Sequence, residues 1–248
     1  MCGTCGCSDD TRNVDTRNVD TRTHDTRTVA LEQDVLARND LLARHNRDWL
    51  RSRDILAVNL MSSPGSGKTT LLERTILQVR STLAISVVEG DQETQVDADR
   101  IRATGCDVVQ VNTGAGCHLD AGMLARALHE LDPLAGSVVF VENVGNLVCP
   151  ALFDLGEDSR VVITSSTEGV DKPLKYPHMF RTADVVLLNK IDLLPHLDFD
   201  VDQFRCHVAR VNPRATVLAV SATRGDGLTD WYDWLLGRKS LGDHFSGA

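Results

Sequence analysis

An apolar run, a glycine-rich turn and a helical stretch in immediate succession restrict a chain to few folds. Residues 55 to 79 have this form: ILAVNLM, then SSPGSGKTT, then LLERTILQV. A strand that ends in such a turn and restarts as a helix aims backbone N–H groups, at the positive end of the helix dipole, toward an anion. Gly65 and Gly67 keep side chains away from the phosphates, Lys68 brings a fixed positive charge, and Thr69 offers a hydroxyl to Mg²⁺. Ser66 and Thr70 complete the stretch that would wrap the phosphates. Ser62 stands where the usual pattern has its first glycine, so the opening of the turn must accept a side chain.

Further apolar runs follow at 83–88, 107–112, 137–142, 160–166, 184–190 and 215–221, separated by helical stretches. They are apolar almost throughout rather than alternating, which predicts strands buried on both faces. The expected fold class is α/β: a phosphate-loop NTPase with a doubly wound, mostly parallel sheet flanked by helices. Ligands of such sheets gather at the carboxyl ends of the strands. Asp91, just past the run at 83–88, and Glu142, closing 137–142, stand at such ends. With Thr69 they are the candidates for holding Mg²⁺ directly or through water. Lys68, Asp91 and Glu142 are therefore the candidate catalytic groups. No residue declares itself as the group that positions water; Asp91 is the better candidate, and hydrolysis by an isolated monomer is expected to be slow.

Asn189, Lys190 and Asp192 follow the run at 184–190. A carboxylate there accepts hydrogen bonds from guanine N1–H and the exocyclic amine, and adenine lacks both donors in that arrangement. Leaving a buried carboxylate unpaired costs about 1–3 kcal/mol or more, which selects GTP and GDP over adenine nucleotides. Ser221 and Ala222, after the last run, sit where a backbone N–H would meet guanine O6.

The chain has seven cysteines. In a reducing compartment such residues serve as metal ligands, reactive thiols or core fillers more often than as disulfides. Cys2, Cys5 and Cys7 lie close enough in sequence to wrap one soft or borderline ion. Cys117 and His118, after the run at 107–112, and Cys149, after Glu142, form a second candidate set. Three ligands are one short of a closed tetrahedral site, so a symmetric dimer could share the ion. Ligand type leaves nickel and zinc open at both sets. Cys106 and Cys206 have no ligand-like neighbours and are expected in the core.

Residues 1–9 are thus read as a metal-binding motif, and 10–29, a five-residue DTRNV-type repeat, as a disordered tether. Residues 30–248 form the nucleotide-binding domain with a leading amphipathic helix in which Leu31, Val35, Leu42 and Trp49 recur near helical spacing. The start MCGTCGCSDDTR has neither the basic beginning nor the apolar core of a secretory leader, so a cytoplasmic protein is expected. No run of about 18 apolar residues suggests a membrane span. A net charge of −9 argues against a nucleic-acid partner.

Together CxxCGC, SSPGSGKTTLLERT, EGDQ, GAGCHLD, ENVGNLVCP, TEGVDKPLKYP, NKIDLLP and the terminal SAT resemble the HypB family, GTPases that help insert nickel into [NiFe]-hydrogenase. The likeness covers about residues 31 to 240 and the first seven. It implies a dimerising GTPase of the signal-recognition and MinD type, a homodimer that works with a HypA-type zinc accessory protein on the hydrogenase large-subunit precursor. It further implies that Cys2, Cys5 and Cys7 bind nickel and that Cys117, His118 and Cys149 form a nickel or zinc site at a dimer interface. Asp171 and Lys172, in a Pro-bounded loop, would either reach the partner subunit's nucleotide or belong to an ordinary solvated loop. The His-rich stretch of some members is replaced here by the repeat, so metal storage is not expected. Two alternatives stand beside this: a metallochaperone GTPase for urease or another metalloenzyme, and a passive nickel or zinc buffer or sensor.

Overall fold

The computed structural model describes residues 21–91, 95–114 and 116–243. The chain divides into two units, Met1–Val35 and Leu36–Ala248. Helix α1, Thr21–Ser52, begins in the first and ends in the second. Its start corrects the expectation of a tether through residue 29. Once a helix is nucleated, each added residue brings a hydrogen bond for one pair of dihedrals, so α1 propagates back into the repeat. Residues 1–9 and 10–20 lie outside the described residues.

Within the second unit the buried stripe of α1 is Asn39, Ala43, Asn46 and Leu50. This stripe differs from the apolar one read from the sequence: Val35, in the first unit, is exposed, and Leu42 and Trp49 are half-buried. The reason is that two asparagines face inward. Asn39 Oδ1 accepts from the Ala121 N–H at 2.9 Å. Asn46 Nδ2 donates to the carbonyls of Ala121 at 2.8 Å and Leu155 at 2.9 Å. Their amides satisfy backbone groups that burial would otherwise leave unpaired.

The rest of the unit alternates strand and helix: β1 (Leu56–Ser62), α2 (Lys68–Val79), β2 (Ile85–Asp91), α3 (Val96–Ala103), β3 (Asp107–Asn112), α4 (Ala121–Leu131), β4 (Val138–Glu142) and β5 (Ser159–Ser165). Two short helices, α5 (Lys172–Lys175) and α6 (Pro177–Arg181), then lead to β6 (Val185–Asn189), α7 (Val201–Val211), β7 (Thr216–Ala219) and α8 (Leu228–Asp243). The strands form one sheet in the order β3-β2-β4-β1-β5-β6-β7. Every pairing is parallel. All seven apolar runs are strands of this sheet.

All seven residues of β1 are buried, because helices cover both faces. Val58 and Leu60 pack with Leu72, Ile76 and Trp231 on one side, while Ala57 on the other meets Leu50, Leu124 and Val139. Such period-two division places alternate residues of each strand in opposite layers. The chain leaves β1 toward β2 and β3, then returns to flank β1 with β4 and β5. This reversal opens a crevice at the carboxyl end of β1, where the glycine-rich turn emerges.

Candidate nucleotide and metal site

The turn that ends β1 is held by the side chain that replaces its first glycine. Ser62 is fully buried. Its hydroxyl donates to the Ser63 carbonyl at 2.7 Å and accepts from Lys68 Nζ at 3.0 Å. Helix α2 starts at Lys68 behind Gly67, which has φ 98° and gives no side-chain cap. The first N–H groups of α2 are therefore without a capping oxygen and face the crevice, an arrangement that suits a phosphate. Gly67 cannot carry a side chain, since a Cβ there would lie 2.5 Å from Asn189 Nδ2.

Thr69 Oγ1 donates to Glu142 Oε1 at 2.8 Å. Glu142 lies directly across the parallel pair from Glu89, and both are almost fully buried. Glu142 Oε2 and Glu89 Oε2 have no hydrogen-bond partner among the described residues. Burial first, then the charges of Glu142 and Asp91, pushes the Glu89 carboxyl up to about 8. Burial also raises Glu142, against the pull of Lys68 and the Thr69 hydroxyl. Asp91 ends β2 two residues beyond Glu89, on the same side of the strand. Buried carboxylate oxygens without donors beside a threonine hydroxyl fit a hydrated hard cation, which supplies both the charge and the missing donors. Glu89 was not among the residues singled out from the sequence; the signal for it is the spacing Glu89-x-Asp91 at a strand end. Arg100 of α3 was missed too. It donates to Thr70 Oγ1 at 3.1 Å and to Glu73 Oε2 at 2.6 Å, tying α3 to the phosphate-loop helix.

Asn189 Nδ2 donates to the Ser66 carbonyl at 2.9 Å, while its Oδ1 accepts from the Ala222 N–H at 2.9 Å. Lys190, with φ 62°, sends its Nζ to the Gly65 carbonyl at 2.7 Å. Ser221 Oγ donates to Asp192 Oδ1 at 2.6 Å. Three loops far apart in sequence are thus joined into one wall of the crevice by side chains that hold Asp192 beside Ser221.

Cys117, His118 and Cys149 converge, with ligand atoms all within 4.8 Å of one another. The two sulfurs are 2.7 Å apart and Cys117 Sγ is 3.7 Å from His118 Nδ1. All three are half-buried. His118 stacks on Phe153 with ring centres 3.9 Å apart. Burial lowers the imidazole's proton affinity, opposed by Asp120, which favours the neutral ring that binds metals. The Cys149 thiol, and burial after it, raise Cys117. Val148 and Leu152, which flank Cys149 in sequence, are half exposed.

Asp171 pairs with Lys175 at 2.8 Å, and Lys172 with Glu168 at 3.1 Å. Glu168 Oε1 in turn accepts from Ser63 Oγ at 2.6 Å, linking this loop to the phosphate turn. Cys106 packs against the core and donates to the Ile85 carbonyl at 3.2 Å. Cys206, expected in the core, is exposed on α7, because the inward face of that helix is taken by Phe204 and Val208. Cys2, Cys5 and Cys7 lie outside the described residues.

Residues 56–219, from the start of β1 to the end of β7, match the family model described as CobW/HypB/UreG, nucleotide-binding domain. A hydrogenase maturation factor HypB of Azotobacter chroococcum is 56% identical over 207 residues, covering 84% of this chain and 68% of its own length. The chain belongs to the HypB family. Its fold agrees with that of HypB from Archaeoglobus fulgidus, at 40% identity and a TM-score of 0.77, covering 82% of this chain and 100% of the other. HypB from Helicobacter pylori, solved in complex with nickel, is 37% identical with the same TM-score, covering 82% and 96%. Membership makes this a nucleotide-binding protein of a family of hydrogenase maturation factors. Among the described residues no helix is long and apolar enough to cross a membrane.

Proposed function

We propose that the chain is a slow, regulatory GTPase and nickel metallochaperone that delivers nickel to a [NiFe]-hydrogenase precursor. The observation that carries this reading is the meeting of Cys117, His118 and Cys149 within 4.8 Å, on loops that leave the same sheet end as the phosphate turn. Two thiols and an imidazole suit nickel or zinc and are poor ligands for Mg²⁺ or Ca²⁺. Half-exposed Val148 and Leu152 beside an incomplete three-ligand set support a homodimer that closes the site.

GTP is the nucleotide we assign, since Asp192 is oriented by Ser221 to accept from guanine. Mg²⁺ would be held by Thr69, Glu142 and Asp91, and when bound it neutralises charge on the phosphates. Lys68 adds its charge at the same place. Ser62, Asn189 and Lys190 keep the turn rigid, so that its N–H groups need no reorganisation when the nucleotide binds. Asp171 and Lys172 reach the partner subunit's nucleotide in this reading. Cys2, Cys5 and Cys7 hold nickel, and a HypA-type protein and the hydrogenase precursor are the partners, in the cytoplasm. The test is nickel transfer to such a partner with GTP against a non-hydrolysable analogue. Transfer that requires hydrolysable GTP supports the proposal; equal transfer with either nucleotide, or with none, removes the switch.

A further inference from the structure

Between the two sites lies a buried residue that belongs to neither. Asn143 follows Glu142 directly and is 1% exposed. Its Oδ1 accepts from the N–H of Leu119 at 3.2 Å and from that of Val144 at 3.0 Å. Both partners are donors, which fixes which end of the amide points at them. Its Nδ2 donates to Asn59 Oδ1 at 3.3 Å, and Asn59 Nδ2 donates to Glu157 Oε1 at 3.1 Å. Its own N–H donates to the Leu60 carbonyl at 3.0 Å. Asn59, Glu157 and Leu119 are all buried, so water does not stand in for a broken bond here. The amide is one residue away from Glu142, the acceptor of the Thr69 hydroxyl. Through a single hydrogen bond it is also one residue away from His118.

We infer that Asn143 is the positioning residue that couples the nucleotide site to the metal site. If the cation that accompanies the nucleotide draws Glu142 away from the Thr69 hydroxyl, the end of β4 shifts and carries the amide with it. Leu119 is pulled or released, and His118 moves relative to Cys117 and Cys149. A contiguous buried network of this kind is one physical route by which two sites are coupled. The inference rests on the reading above that one crevice binds nucleotide and the other metal.

The experiment uses the full chain with Cys2, Cys5 and Cys7 replaced by alanine, so that nickel titration reports the second site alone. Nickel affinity is measured with GDP and with a non-hydrolysable GTP analogue, in this background and with Asn143→Ala added. The expected result is a difference between the two nucleotide states of about fivefold or more, the ordinary scale of coupling between sites. Asn143→Ala should bring that ratio to about one while nucleotide affinity changes by no more than about twofold. A residue with a merely structural role would lower both affinities and leave the ratio intact, and that result overturns the inference. A ratio of one before Asn143 is changed would instead overturn the switched-site reading, and the coupling with it. The unsubstituted chain gives a second readout if Asn143→Ala does not fold. Exchange of the Leu119 N–H, followed by NMR, should differ between the two nucleotide states, and identical protection in both contradicts the coupling.

Discussion

At the scale of single residues, geometry decides which substitutions matter. Asp192→Asn removes the charge of the carboxylate that Ser221 orients and turns one of its two acceptor oxygens into a donor. A lost charge-assisted hydrogen bond is worth about 1.5–3 kcal/mol, so preference for guanine over xanthine nucleotides should fall by about tenfold or more. Competition binding checks this, and unchanged guanine preference would contradict the assigned base site. Gly67→Ala must displace Asn189, whose Nδ2 would lie 2.5 Å from the new methyl. With φ at 98° the backbone resists as well. Nucleotide affinity should drop by more than tenfold, an energy of about 1.4 kcal/mol, and the thermal unfolding midpoint of the nucleotide-free chain should fall as well, because the strain and the displaced amide burden the fold itself. The cysteines separate by environment. Burial pushes the Cys106 thiol up to about 12, whereas Cys206 is exposed. Mass spectrometry after brief alkylation at neutral pH should find Cys206 modified and Cys106 intact. The reversed order would show that α7 is packed differently.

Among elements, the seven strands could be read from the sequence because burial on both faces writes each as an unbroken apolar run, as in VVFVE and VVLLN. The glycine-rich turn was equally legible, since its chemistry is carried by adjacent residues. The packed face of α1 was not, because Asn39 and Asn46 point inward to serve the backbone at Ala121 and Leu155. A pattern of apolar residues cannot register an amide whose value lies in distant carbonyls. For the same reason the positions of Cys117, His118 and Cys149 after strand ends named only candidate ligands, while their meeting depended on how two loops turn after β3 and β4. Helix α1 is also held by Arg47, which donates to both oxygens of Asp154 at 2.8 Å. Burial alone would raise Asp154, but the Arg47 and Gly156 hydrogen bonds outweigh it and hold the carboxyl below its ordinary value. A depressed carboxylate gives stability that is present above its unfolded value, about 3.9, and lost as pH falls through the lower folded value. Asp154→Asn should therefore cost about 1 kcal/mol at pH 7. In urea titrations the gap between the two proteins should close as pH falls below about 4. A gap that persists unchanged at low pH would assign the loss to packing instead of charge.

For the whole molecule, one sheet end gathers the candidate site residues among the described residues. The phosphate turn, the Glu89, Asp91 and Glu142 carboxylates and the Asp192 loop leave carboxyl ends of parallel strands, and so do the cysteine loops. In the proposed reading, that common origin lets two chemistries, hard-cation and phosphate binding on one side and thiolate binding on the other, share strand β4 as a boundary. Glu142 ends the strand, Asn143 follows it, and Cys149 lies in the same connection to β5. Switching metal affinity by nucleotide then needs no motion of whole domains, only a change at the end of one strand. The central claim is that nucleotide state sets metal affinity at Cys117, His118 and Cys149. Calorimetric nickel titration of the GDP-bound and GTP-analogue-bound protein, with the N-terminal cysteines replaced, measures it most directly. The account predicts affinities that differ by about fivefold or more; equal affinities in the two states would contradict it.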